Sequence, residues 1–150
     1  MSDYQIEELS AATIVAVNQL GLKPGQEQFV SPVSYAAVAA VTPPESAWQR
    51  VVLDGDHVVG FIHGNFDDDA PEEHFKAALW RINVDASAQG QGVGTFAVQA
   101  LLDEARRRGY DRVTVIYEPG EAGPERFFLN VGFVPIGETQ YGETIGAIDL

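Results

Sequence analysis

Leu79–Gly109, LWRINVDASAQGQGVGTFAVQALLDEARRRG, reads as a strand, a glycine-punctuated loop and an amphipathic helix. Leu79 to Val84 is apolar enough for a buried strand, and Asp85–Ala86–Ser87 breaks it. Gln89, Gly92 and Gly94 then give the spacing Q-x-x-G-x-G. From Val93 the apolar positions Val93, Phe96, Ala97, Ala100, Leu101 and Ala105 recur at helical spacing, and Gly109 closes the element after three arginines.

That layout suits an anion. Glycines let successive backbone N–H groups turn toward one point without a Cβ in the way. The helix behind them adds unsatisfied N-terminal donors and the positive end of its dipole. A diphosphate is the natural guest; the plainer reading is a tight strand-to-helix turn with no ligand. A nucleoside-triphosphate loop is excluded, because no Gly-Lys-Ser/Thr follows. A dinucleotide site is excluded by the absence of G-x-G-x-x-G spacing.

Elsewhere the chain alternates strands and helices. Tyr4 to Glu7 is a candidate strand, and Ser10 can cap a helix over Ala11 to Leu20. Ser31–Pro32 opens a second helix that runs to about Ala40. Trp48 to Leu53 and His57 to Phe66 flank Asp54–Gly55–Asp56, a strong hairpin signal. In the second of these strands Val59, Phe61 and His63 share a face. The acidic loop 67–73 leads into a strand from about Phe75 to Val84. Val113 to Tyr117 is a β-branched strand, Pro124 to Val131 a short helix, and Phe133 and Ile145 begin the closing strands. An antiparallel hairpin ahead of the glycine loop gives a mixed α/β (α+β) sheet.

Composition narrows the function. The 150 residues suit a single domain, 1–150, with a real core. A formal charge of −13 and a pI near 4.4 argue against a nucleic-acid partner, which needs a cationic surface. The same field attracts a cationic amine; a solvated acidic surface is the plainer account. There is no apolar run long enough for a membrane span and no export signal, so a cytoplasmic protein is expected. With no cysteine, a thiol nucleophile is excluded. His57, His63 and His74 lack metal-ligand spacing, so no metal is expected.

QGQGVG after a strand ending INVD, followed by a long helix, resembles the acetyl-CoA-binding motif of GNAT-family N-acetyltransferases. PERFFLNVGF, Pro124 to Phe133, resembles that family's late helix and turn, F-Y-x-x-x-G-F. The resemblance implies an acyl-CoA N-acyltransferase fold in which the strands Phe75–Val84 and Val113–Tyr117 run parallel and splay apart. Acetyl-CoA would be the cosubstrate. Its pantetheine would pair with backbone along Ile82, Asn83 and Val84 in place of a missing strand. Its diphosphate would fall on the amides of Gln89, Gly90, Gln91, Gly92, Val93 and Gly94 and on Thr95. The helix carrying Phe128 would pack along its other side. Phe29, between the two early helices, borders the implied acceptor cleft, and Asp67, Asp68 and Asp69 could hold a multiply charged amine. Dimerisation is common in that family, so a homodimer is an expectation of the resemblance alone.

The acetyl acceptor would be the primary amine of a small molecule. GFVPIGE and GETIGAIDL are similar to members grouped near polyamine acetyltransferases, which favours a cation; aminoglycosides, amino acids and peptide N-termini stay open. Candidates for the proton acceptor are Glu73, His74, Glu118 or a water. One departure bears on catalysis. Family members commonly carry a tyrosine at the place of Phe128, where its hydroxyl acts as general acid. Tyr117, at the end of the neighbouring strand, is a candidate substitute donor; the plainer reading is a packed or rim tyrosine. The missing hydroxyl also admits a second reading, a catalytically weak acyl-CoA-binding or sensing module.

Overall fold

The computed structural model of the protein describes residues 4–18, 44–70, 72–120 and 124–150. Seven strands form one sheet in the order β1-β2-β3-β4-β5-β7-β6. They are β1 Tyr4–Glu8, β2 Ala47–Asp54, β3 His57–Phe66, β4 Ala77–Val84, β5 Arg112–Tyr117, β6 Val134–Glu138 and β7 Thr144–Asp149. The helices are α1 Ile14–Asn18, α2 Val93–Arg107 and α3 Glu125–Val131. A 3-10 turn over Glu73–Phe75 takes the first residues expected of the key strand, which therefore starts at Ala77. Phe29 and the helix expected after Ser31–Pro32 lie outside the described residues.

Every neighbouring pair of strands is antiparallel except β4 and β5. The β2–β3 hairpin turns at Asp54–Gly55–Asp56, where Gly55 has φ 63°. α2 lies across the sheet and buries Val93, Ala97, Val98, Leu101, Leu102 and Ala105 against Ile62, Leu79, Val113 and Val115. Burying each valine, leucine or isoleucine side chain here stabilises by about 1.5–3 kcal/mol. β3 meets this helix through two glycines. A Cβ on Gly60 would stand 2.9 Å from Val93 Cγ1, and one on Gly64 would stand 2.6 Å from Leu101 Cδ1. Glycine in mid-strand is here the condition for close helix-on-sheet packing.

Candidate active site

β4 and β5 are paired only at Ala78–Thr114 and Leu79–Val115. Beyond Leu79 the two strands part, although β4 runs on to Val84 and β5 to Tyr117. The parting coincides with an irregularity on the other side of β4. His63 pairs with Arg81 and Gly64 with Leu79, so Trp80 is an extra residue in the ladder. Such a bulge bends its strand, and the bend opens a wedge between β4 and β5.

The ladder also fixes which backbone groups look into the wedge. Asp85 donates its N–H to Val59 O on β3, one step beyond the Gly60–Val84 pair. In an antiparallel ladder that makes Gly60–Val84 a non-bonded pair, and pairs alternate. Ile82 and Val84 therefore turn their N–H and C=O away from β3, toward the wedge, while Asn83 spends its backbone on Phe61. The Asn83 side chain accepts from Arg81 Nε at 3.2 Å. Of Ile82, Asn83 and Val84, two thus turn backbone groups into the wedge. The Val84 carbonyl already accepts from Gln89 Nε2 at 3.0 Å, so the glutamine that opens the loop motif ties the loop to the strand end.

At that strand end the chain turns through Ala86–Ala88, with Asp85 accepting from the Ser87 N–H, and reaches α2. Gly90 and Gly92 have φ 81° and 87°, in the left-handed region open to glycine, and nothing stands within 4 Å of where a Cβ would be. Gly92 caps α2, and the first intrahelical bond runs from Phe96 N to Gly92 O. The N–H groups of Val93, Gly94 and Thr95 thus have no helical partner. Tyr4 holds the loop from the sheet edge, donating its hydroxyl to Gln91 O at 2.9 Å and packing on Phe96. Gly94 serves differently from the other two: a Cβ there would lie 2.8 Å from the Phe127 ring, so this glycine lets α3 close onto the start of α2.

On the helix-covered face of the wedge stands Tyr117, the last residue of β5. Its side chain is fully buried, its ring lies 5.2 Å from that of Phe128, and its hydroxyl has no hydrogen-bond partner among the described residues. Burial, with the Glu125 carboxylate nearby, pushes its pKa above the usual value, so it is a neutral phenol with a proton to give. On the opposite face His63 packs against the bulged Trp80, ring centroids 5.3 Å apart. Its Nε2 is enclosed and has no partner among the described residues, and burial together with the Arg81 charge holds its pKa below 6.5. Glu143, immediately before β7, is also fully buried, and its Oε1 accepts from Thr139 Oγ1 at 3.3 Å.

A family model described as "Acetyltransferase (GNAT) family" matches residues 16–133. The chain belongs to that family. Among proteins it is similar to are an L-2,4-diaminobutyric acid acetyltransferase of Streptomyces coelicolor, 32% identical over 57% of this chain and 49% of that protein. Another is a mycothiol acetyltransferase of Beutenbergia cavernae, 35% identical over 43% of this chain and 22% of that protein. The chain thus matches less than half the length of either relative. Its fold is similar to the GNAT domain of S. lividans PAT, with TM-score 0.74 and 15% identity over 98% of this chain and 90% of that one. It is also similar to the N-acetylglutamate synthase of Neisseria gonorrhoeae solved with coenzyme A and N-acetyl-glutamate, with TM-score 0.69 and 15% identity over all of this chain and 36% of that one.

Two expectations for this GNAT chain meet a different placement. Glu73 precedes β4 and so stands at its closed end, where it pairs with Lys76 at 3.3 Å. There it lines a cleft of about 450 Å³ with Tyr110, Arg112, Ile136 and Asp149. Asp67, Asp68 and Asp69 lie at the same end. Asp68 accepts from Tyr110 at 2.6 Å, and Asp67 accepts from the Asp69 N–H at 3.0 Å. Tyr110 stacks on Phe66, which carries the Arg108 guanidinium 4.4 Å above its ring. The loop is pinned to the C-terminal end of α2, whereas the wedge opens beside its N-terminal end. The His74 side chain lies outside the described residues. Glu118, following Tyr117, is half-buried at the open end. The sequence alone does not single out His63, because the bulge that sets its level exists only once β3 and β4 are in register. Among the described residues no cluster of three His, Asp or Glu side chains could hold a metal, and no helix is long and apolar enough to cross a membrane.

Proposed function

We propose that the protein is an acetyl-CoA-dependent N-acetyltransferase that acetylates the primary amine of a small, cationic substrate by direct attack. The observation that carries this reading is the wedge beyond Leu79 and Val115, open beside the unpaired amides at the start of α2. Pantetheine would fill the wedge as a surrogate strand on Ile82 and Val84, and the diphosphate would sit on the loop from Gln89 to Thr95.

In the transfer, the nitrogen of the neutral amine bonds to the thioester carbon and gives up a proton to a base or water. The carbon–sulfur bond breaks, the thiolate takes a proton from Tyr117, and the phenolate regains one from solvent. A thiol with pKa near 8.5 is an undemanding leaving group, so positioning of amine against thioester supplies much of the rate. No acyl-enzyme is needed, and the chain holds no cysteine to form a thioester of its own. The cationic preference rests on the whole-chain charge of −13 rather than on Asp67–Asp69. The unpartnered Tyr117 hydroxyl favours an enzyme over a sensing module, since a module needs no proton donor there.

The test is calorimetric titration with acetyl-CoA, then a thiol-release assay on a panel of spermidine, L-2,4-diaminobutyrate, an aminoglycoside and a peptide N-terminus. Micromolar binding with amine-dependent release is expected. Failure to bind acetyl-CoA overturns the site; binding with no release from any amine returns the sensing module.

A further inference from the structure

We infer that His63 takes the proton of the attacking amine, working from the sheet face opposite Tyr117. This deepens the transferase reading above and rests on it. His63 stands on β3, yet the bulge at Trp80 brings it to the level at which β4 leaves β5, because its direct cross-strand partner is Arg81, two residues past the last β4–β5 pair. Cross-strand neighbours share a face. Tyr117 packs with Phe128 on the face covered by α2 and α3, and His63 packs with Trp80 in the cluster of Phe75, Ala78, Ile116 and Ile145 on the other. A phenol and an imidazole thus stand on opposite faces of the sheet at the level where the wedge opens.

The chemistry of the imidazole fits. An enclosed nitrogen without a partner costs stability and wants an explanation. With the hydrogen on Nδ1, Nε2 presents a lone pair. Burial first, and Arg81 second, keep the ring neutral near pH 7, ready to accept. Arg81 is the charge that faces it; β2 presents the uncharged Gln49 across the pairing, and the carboxylates of Glu118 and Glu143 stand farther along the sheet, at the ends of β5 and β7. As the carbon–nitrogen bond forms, the nitrogen's proton passes to His63 Nε2, directly or through one water, while Tyr117 gives its proton to sulfur. Imidazolium and phenolate then exchange the proton with solvent, and the cycle closes without another reactant.

The experiment compares wild type, His63→Gln and Glu118→Gln with the best acceptor of the panel, and with water as acceptor in slow acetyl-CoA hydrolysis. Wild type should lose kcat/KM as pH falls through a single ionisation below 6.5. His63→Gln should lower kcat about 10²-fold or more, abolish that acid limb, and leave acetyl-CoA affinity within about twofold. Imidazole added to His63→Gly should restore part of the rate. In the wild type the His63 ring resonance, assigned with His57→Gln and His74→Gln, should titrate at the pH of the limb whether or not a His63 variant folds. A wild-type rate in His63→Gln, a limb that vanishes in Glu118→Gln instead, or a ring that titrates elsewhere overturns the assignment and leaves the transferase standing. Acetyl-CoA binding with neither transfer nor hydrolysis overturns both.

Discussion

In the proposed mechanism Tyr117, on a neighbouring strand, supplies the group that the helix lacks. Phe128 offers no hydroxyl, but its ring lies against that of Tyr117, so a phenol is present in the same packed cluster. Tyr117→Phe should lower kcat about 10²-fold, at the low end for a general acid because the thiol leaves readily. The acetyl-CoA KM should hold, since the hydroxyl makes no hydrogen bond among the described residues. Adding Phe128→Tyr to that variant should recover part of the loss. Steady-state thiol release measures both; an unchanged kcat in Tyr117→Phe removes the acid role.

Tyr110 makes the contrasting case at the closed end of the sheet. Burial and its bond to Asp68 push its pKa up to about 12. An unfolded tyrosine ionises near 10. The stability this group contributes is therefore full below pH 10 and lost as the pH climbs toward 12, because only the unfolded chain releases the proton in that window. Phenolate absorbance should show this late titration in wild type, and Tyr110→Phe should remove it at a cost of about 0.5–1.5 kcal/mol for the lost bond. Transfer activity should be untouched, which separates Asp68 as an anchor for its loop from Asp68 as a substrate contact.

At the scale of elements, glycine placement decides how helices meet the sheet and each other. Gly64→Ala would push a methyl group into Leu101, and Gly94→Ala would push one into Phe127. Each should cost about 1–3 kcal/mol as the neighbour shifts. They differ in function: Gly64→Ala leaves the loop intact, while Gly94→Ala lifts α3 from the start of α2 and should weaken acetyl-CoA binding as well. Thermal unfolding and calorimetry on the pair would separate packing from ligation, and equal affinity losses would contradict that division.

The same scale explains what the sequence could tell. The Q-x-x-G-x-G loop and α2 were legible because their signals are local: helical spacing, a glycine stop, a strand break. The Asp54–Gly55–Asp56 hairpin was legible for the same reason. Which end of β4 a loop occupies is a different matter. The acidic loop adjoins the key strand in sequence, but eight residues at about 3.3 Å each put the two ends of that strand over 20 Å apart. The loop fell at the wrong end for Asp67–Asp69 and Glu73 to reach the wedge. The bulge at Trp80 was equally hidden, since a register shift belongs to a pair of strands and leaves no mark on either one. The helix expected at Ala11 begins only at Ile14, because Ser10 and Thr13 first close a turn on each other.

Charge acts on the molecule as a whole, and its consequence for the cosubstrate runs against the usual pattern. Acetyl-CoA is an anion, and the chain carries a formal −13. From Val84 to Thr95 the only ionisable side chain is that of Asp85, so the loop offers a phosphate backbone N–H groups and a helix dipole but no cation. Short-range attraction at the amides is then opposed by long-range repulsion from the protein's field. Salt weakens the second far more than the first, since a Debye length of about 10 Å at 0.1 M screens distant charges and leaves hydrogen bonds in contact largely intact. Acetyl-CoA affinity should therefore stay level or rise between 20 and 300 mM sodium chloride, whereas a phosphate held by lysine or arginine would be released. The association rate should rise with salt for the same reason. Calorimetry and stopped-flow binding across that range measure the two quantities. A steep loss of affinity with salt would mean that a basic side chain outside the loop carries the phosphate, and would move the anion site away from the start of α2.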